Sequence, residues 1–168
     1  MGVRQKVFFV LTLVWMLVIF LFSGRTGVES TEDSYRVGMS VGRMVVPAFN
    51  DLSDEEQLAF ARRVDHPIRK TAHAMEYAVL GVFIAGWVYD EAFKRAKSTL
   101  YAWLIVTVYA ATDELHQLFV IGRSGQITDI LLDSVGAFFG VLIMVCILYG
   151  ISNRREKKMS EKSDIIGK

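Results

Sequence analysis

Ile127-Thr128-Asp129-Ile130-Leu131-Leu132-Asp133-Ser134-Val135-Gly136-Ala137-Phe138-Phe139-Gly140 opens a run that stays apolar to Tyr149. At about 1.5 Å per helical residue, positions 127–149 can cross roughly 30 Å of bilayer hydrocarbon. Asp129, Asp133, Gly136 and Gly140 recur three or four positions apart and share one helix face. Glycines on that face let a neighbouring helix approach. Both carboxylates are therefore expected to face the interior of a helix bundle rather than lipid.

Three other apolar runs lie at 7–22, 71–89 and 99–121. The first follows Arg4 and Lys6. It reads as an uncleaved helix, because Leu21-Phe22-Ser23 lacks the small residue that a signal-peptide cleavage site wants. The fold class expected is all-α: a polytopic membrane protein of four transmembrane helices, forming one domain over 1–168. Composition agrees, with 168 residues, 52% hydrophobic and 22% charged, the charges concentrated between the runs. A formal net charge of +1 argues against nucleic acid as a partner. Cys146 is the one cysteine, which excludes an intrachain disulfide and any CxxC metal or redox motif.

Basic residues flanking the runs orient the chain. Arg4 and Lys6 precede the first helix, Lys94, Arg95 and Lys97 lie between the second and third, and Arg154, Arg155, Lys157 and Lys158 follow the fourth. Both termini and the tail at 150–168 are thus expected in the cytoplasm, with 23–70 and 122–126 outside. Arg69 and Lys70 run against the rule locally. The outer region 23–70 is expected to hold two short amphipathic helices. Val37, Val41, Met44 and Val45 recur at helical spacing, and Ser53 with Glu56 makes a capping box ahead of Leu58, Ala61 and Val64.

This topology gathers polar residues at one membrane depth. His73, Glu76 and Tyr77 lie at the outer end of the second helix, Asp113, Glu114, His116 and Gln117 at that of the third, and Asp129 and Asp133 at that of the fourth. Each charge left facing lipid there costs about 2–3 kcal/mol or more. Interhelical pairing, such as Arg123 with Asp129, is one use for such a cluster. So many titratable groups are an expensive way to hold helices together when Ser or Gln would serve.

The stretch His66-Pro67-Ile68-Arg69-Lys70-Thr71-Ala72-His73-Ala74-Met75-Glu76-Tyr77 resembles the VanZ-like family of bacterial membrane proteins. So does the stretch 109–140, with Asp113-Glu114-Leu115-His116-Gln117, Gly122-Arg123, Asp129, Asp133 and Gly136. Ile121 departs from the family, which often has Pro before Gly122-Arg123. The resemblance implies a small multi-pass protein of the bacterial cytoplasmic membrane, in a family named for low-level resistance to the glycopeptide teicoplanin. It implies no settled reaction.

The polar cluster suits an enzyme acting on a lipid-linked or cell-envelope substrate at the outer leaflet. The catalytic candidates are His73, Asp113, Glu114, His116, Asp129 and Asp133, since imidazole titrates near neutrality and a carboxylate orients it. The substrate-binding candidates are Arg69, Lys70, Glu76, Tyr77, Gln117 and Arg123, the cations serving a phosphate or carboxylate head group. A metal-assisted version would use His73, His116 and two carboxylates, though no HExxH-like spacing marks it. The metal and any cofactor are left unknown. Two alternatives remain: a non-catalytic binder of an envelope lipid or the antibiotic's target, and a small transporter or proton-coupled device. The partners expected are the lipid bilayer and a lipid-linked envelope substrate.

Overall fold

A computed structural model describes residues 2–90 and 95–166. Five α-helices follow one another: α1 (Val3–Ser23), α2 (Gly27–Val45), α3 (Asp54–Val88), α4 (Arg95–Gln117) and α5 (Ile127–Ile166), with a 3-10 turn at Phe49–Asp51. Among the described residues there is no strand. Lys94, used above to orient the chain, lies outside them.

Three helical segments are long and apolar enough to cross a membrane: Val3–Ser23, Asp54–Val88 and Ile127–Ser160. The helix α4 falls short, since Tyr101, Thr107, Tyr109 and Thr112 interrupt its apolar stretch and Asp113 and Glu114 end it. It is nonetheless packed along both α3 and α5. Val7, Leu11, Val14, Leu17 and Leu21 of α1, and Leu131, Val135, Leu142 and Ile147 of α5, are exposed. Apolar side chains turned outward over whole helices suit a lipid surrounding.

The core lies between α3, α4 and α5, around Tyr77, Leu80, Ile84, Val106, Ala110, Ala137 and Val141. Contact between α3 and α5 is closest where side chains are smallest. A Cβ on Gly136 would collide with the carbonyl oxygen of Ala74, and one on Gly140 with that of Ala78. The glycine stripe of α5 therefore carries α3, and Asp133 is buried on the same side. The helix α1 is tied on by two indole and phenol bonds: Trp15 Nε1 donates to the Glu76 carbonyl at 2.9 Å, and Tyr109 Oη to the Met16 carbonyl at 2.7 Å.

Capping explains where α2 and α3 begin. Thr26 Oγ1 accepts from the Glu29 amide at 3.3 Å while Glu29 Oε2 accepts from the Thr26 amide at 2.8 Å. Ser53 and Glu56 repeat the arrangement at 3.3 and 2.9 Å. The helix α2 then lays Ser34, Gly38 and Gly42 inward, with Gly38 against Ala61 and Val64 of α3 and Gly42 against the Phe49 ring.

The element boundaries differ from the sequence expectation in three places. The second expected surface helix is not separate: it and the span expected at 71–89 form one helix through Pro67. Proline removes one backbone donor and crowds the preceding turn, but the inward stripe of Ala61, Val64 and Ile68 runs on across it. Packing against α2 keeps that stripe in register. The third helix ends at Gln117 rather than 121, closed by the Phe119 amide to the His116 carbonyl and by Gly122 at φ 76°. Finally, α5 continues into the expected tail, as far as Ile166.

Candidate functional site

The end of α1, the end of α4, the start of α5 and the middle of α3 converge on one polar network. Ser23 Oγ, closing α1, donates to Asp113 Oδ2 at 2.6 Å. Gln117 Nε2 lies 3.0 Å from Ser23 Oγ, 3.2 Å from Asp113 Oδ2 and 3.2 Å from Glu114 Oε1. The other Glu114 oxygen accepts from the Gln126 amide at 2.9 Å, which fixes the start of α5. Asp113, Glu114 and Gln117 are all buried, and their shared helix faces inward because they stand three and four residues apart.

Arg123 caps this network from the turn between α4 and α5. Its Nη1 donates to Gln117 Oε1 at 3.2 Å, Nε to the Arg25 carbonyl at 3.0 Å and Nη2 to the Phe22 carbonyl at 3.4 Å. It does not pair with Asp129, as the sequence suggested it could. Lys70 Nζ holds Asp129 Oδ1 at 2.5 Å instead, joining α3 to α5. Burial pushes the Arg123 guanidinium below its ordinary range; Asp113 opposes that and Arg69 adds to it. Arg69 bonds Asp65 at 2.7 Å, and Asp65 also accepts from Ser34 of α2. Arg25 pairs with Asp33.

Two adjoining cavities open over this network. One, of about 230 Å³, is polar and is lined by His66, Arg69, Lys70, His73, Gln117, Arg123 and Asp129, among others. The other, of about 180 Å³, is lined by Phe22, Val37, Ile68 and Ala72 together with Arg25, Asp33, Ser34 and Glu76. Ser30, Arg69, His73 and Arg123 belong to both walls. His73 Nδ1 stands 3.9 Å from Glu76 Oε2, too far for a hydrogen bond, and has no hydrogen-bond partner among the described residues. A histidine beside a carboxylate in a cavity wall can take or give a proton.

The expected site residues thus fall into groups. Arg69, Lys70, His73, Glu76, Gln117, Arg123 and Asp129 line the cavities, and Asp113 and Glu114 lie behind Gln117. Tyr77 and Asp133 line neither cavity. Tyr77 is wholly buried, and among the described residues neither its hydroxyl nor either buried Asp133 oxygen has a hydrogen-bond partner. His116 stands apart, its ring stacked on Phe20 of α1 at 4.5 Å and 18°. Sequence reasoning missed Ser23, Arg25, Ser30, Ser34, Asp65 and Gln126. The Thr26 and Glu29 capping pair was the available signal for α2; nothing local marks Ser23 as a partner of Asp113. Among the described residues, no three His, Cys, Asp or Glu side chains are grouped so as to hold a metal ion.

Long apolar helices around a buried polar network define a helical membrane protein. The chain belongs to the VanZ/LLP1 family, whose profile matches residues 8–149, nearly its whole length. No curated protein and no solved structure matches it.

Proposed function

We propose that this VanZ-type protein binds or modifies a lipid-linked or cell-envelope component at the outer leaflet of the bacterial cytoplasmic membrane. In this reading α4 is the third of four spans, both termini are cytoplasmic, and the cavities face outward beneath α2. One observation carries the proposal: His73, Arg69 and Arg123 form a common wall between a polar cavity and an apolar one. Cations suit a phosphate or carboxylate head, and the apolar neighbour suits whatever chain is attached to it. Tolerance to teicoplanin, implied by the family resemblance, follows as a consequence of handling such an envelope component.

In a modifying reaction His73 is the proton carrier, with Glu76 beside it. His116 is not, because it packs on Phe20 away from both cavities. The test is purified protein with an added bacterial lipid extract, assayed for bound and for chemically altered lipid. His73→Ala is expected to abolish any turnover and to weaken retention, whereas His116→Ala keeps both. Retention without change of the lipid would select the non-catalytic alternative. Equal behaviour of His73→Ala and the parent would sink the site.

A further inference from the structure

Resting on that reading of the site, we infer that the two cavities together take an anionic amphiphile, a phosphate-class head group in the polar cavity with its hydrocarbon chain leaving over Phe22, Val37 and Ile68.

Charge is the first ground. The polar cavity presents Arg69, Lys70 and Arg123 against one carboxylate, Asp129. Lys70 is matched by Asp129, and Arg69 by Asp65. Arg123 is half-buried and, among the described residues, forms no ion pair; its three bonds go to an amide oxygen and two backbone carbonyls. Asp113, Glu114 and Glu76 act on it only without direct pairing, and removing a charge from water without a contacting counter-charge is costly, so an anion brought by the ligand completes the site. Arg has five N–H donors. Three are used, which leaves one on each Nη nitrogen for two oxygens of one head group.

Continuity is the second ground. The apolar cavity shares the Arg123 and His73 wall, so a molecule whose head meets Arg123 has its next atoms beside Phe22 and Ile68. Phe22 and Val37 also lie exposed, alongside exposed Phe20 and Leu21. Phe22, Val37, Ile68 and Ala72 give this path its apolar side, while Arg25, Asp33, Ser34 and Glu76 also border it, Arg25 and Asp33 paired with each other. Free phosphate uses only its first half.

The experiment places the full-length protein in phosphatidylcholine nanodiscs and titrates it with phosphatidic acid, with inorganic phosphate as the head without a chain. Saturable phosphatidic acid binding above the phosphatidylcholine background is expected, with inorganic phosphate competing at least about tenfold more weakly. Arg123→Gln is expected to weaken phosphatidic acid by about tenfold or more. Ile68→Trp fills the apolar cavity and is expected to weaken phosphatidic acid while leaving phosphate unchanged. Should Arg123→Gln fail to fold, Arg123→Lys keeps the charge but loses the fork, and weaker binding at an unchanged melting temperature supports the same conclusion. Phosphatidic acid binding no tighter than phosphate, or unaffected by both Arg123 and Ile68 substitutions, overturns it. Loss of this ligand class alone, with lipid-extract retention still dependent on His73, rejects the phosphate amphiphile and leaves the proposed function standing.

Discussion

Ser23 Oγ sits 2.6 Å from Asp113 Oδ2, across a sequence separation of 90 residues, and both side chains are buried. This bond fastens the end of α1 to α4, and Gln117 reaches the same two atoms. Ser23→Ala removes one donor from a buried carboxylate and leaves Gln117 with one acceptor fewer. The expected cost is about 1–3 kcal/mol, read as a lower unfolding midpoint in detergent. An unchanged midpoint would mean that the bond contributes nothing to holding α1.

Gly140 tests the contact that sets the depth of α5. Gly140→Leu must push α3 away, because even a Cβ meets the Ala78 carbonyl oxygen. Overpacking of this kind costs about 1–3 kcal/mol and can exceed it, so a marked fall in folded protein is expected. Gly150→Ala is the control: its Cβ has no atom within 4 Å, and no loss is expected. Equal abundance of the two variants would contradict the close α3–α5 approach.

Asp133 separates functional from structural use of the buried cluster. Neither carboxylate oxygen has a hydrogen-bond partner among the described residues. Burying an unpaired carboxylate charge opposes folding more than burying a neutral amide, so Asp133→Asn is expected to be at least as stable as the parent. If the residue belongs to the functional cluster, the same variant loses activity. Asp129→Ala should also lose function, but with some loss of stability, because it leaves Lys70 without its partner. Asp90→Ala should retain function. Full function in Asp133→Asn would assign Asp133 to neither role.

The two capped helix starts bring a pH dependence. Bonds from the Thr26 backbone and side chain hold the Glu29 carboxyl below its usual value, and Ser53 does the same for Glu56. A lowered folded-state value stabilises above the unfolded-state value and stops doing so as pH falls through the folded one. Protection of the amides in the first turns of α2 and α3, corrected for the intrinsic exchange rate, should therefore fall below about pH 4. Glu29→Gln, which can keep the cap bond without titrating, should make α2 insensitive to pH. Identical profiles for Glu29→Gln and the parent would refute the capping origin.

Orientation is tested by a reporter that is active only outside the cytoplasm, fused after Lys168. No activity is expected on the proposed orientation, which the basic flanks favour. Strong activity would reverse the cavities relative to the membrane.

What repeats along one helix was legible in the residues alone. Apolar runs marked the helices, Ser53 and Glu56 marked the start of α3, and the common stripe of Asp129, Asp133, Gly136 and Gly140 turned two carboxylates toward a neighbour. These signals are local, because helical periodicity ties residues three and four apart to one face. Only the tertiary structure decided which faces meet. It gave Asp129 to Lys70 rather than Arg123, set His73 in both cavity walls and His116 against Phe20, and joined Ser23 to Asp113. It also carried α3 through Pro67, where a proline reads as a boundary. The rotation of one helix against the next is set by where backbones can approach, at Gly136, Gly140 and Gly81. That contact depends on side-chain volume in two distant segments at once, so no periodicity within either segment contains it.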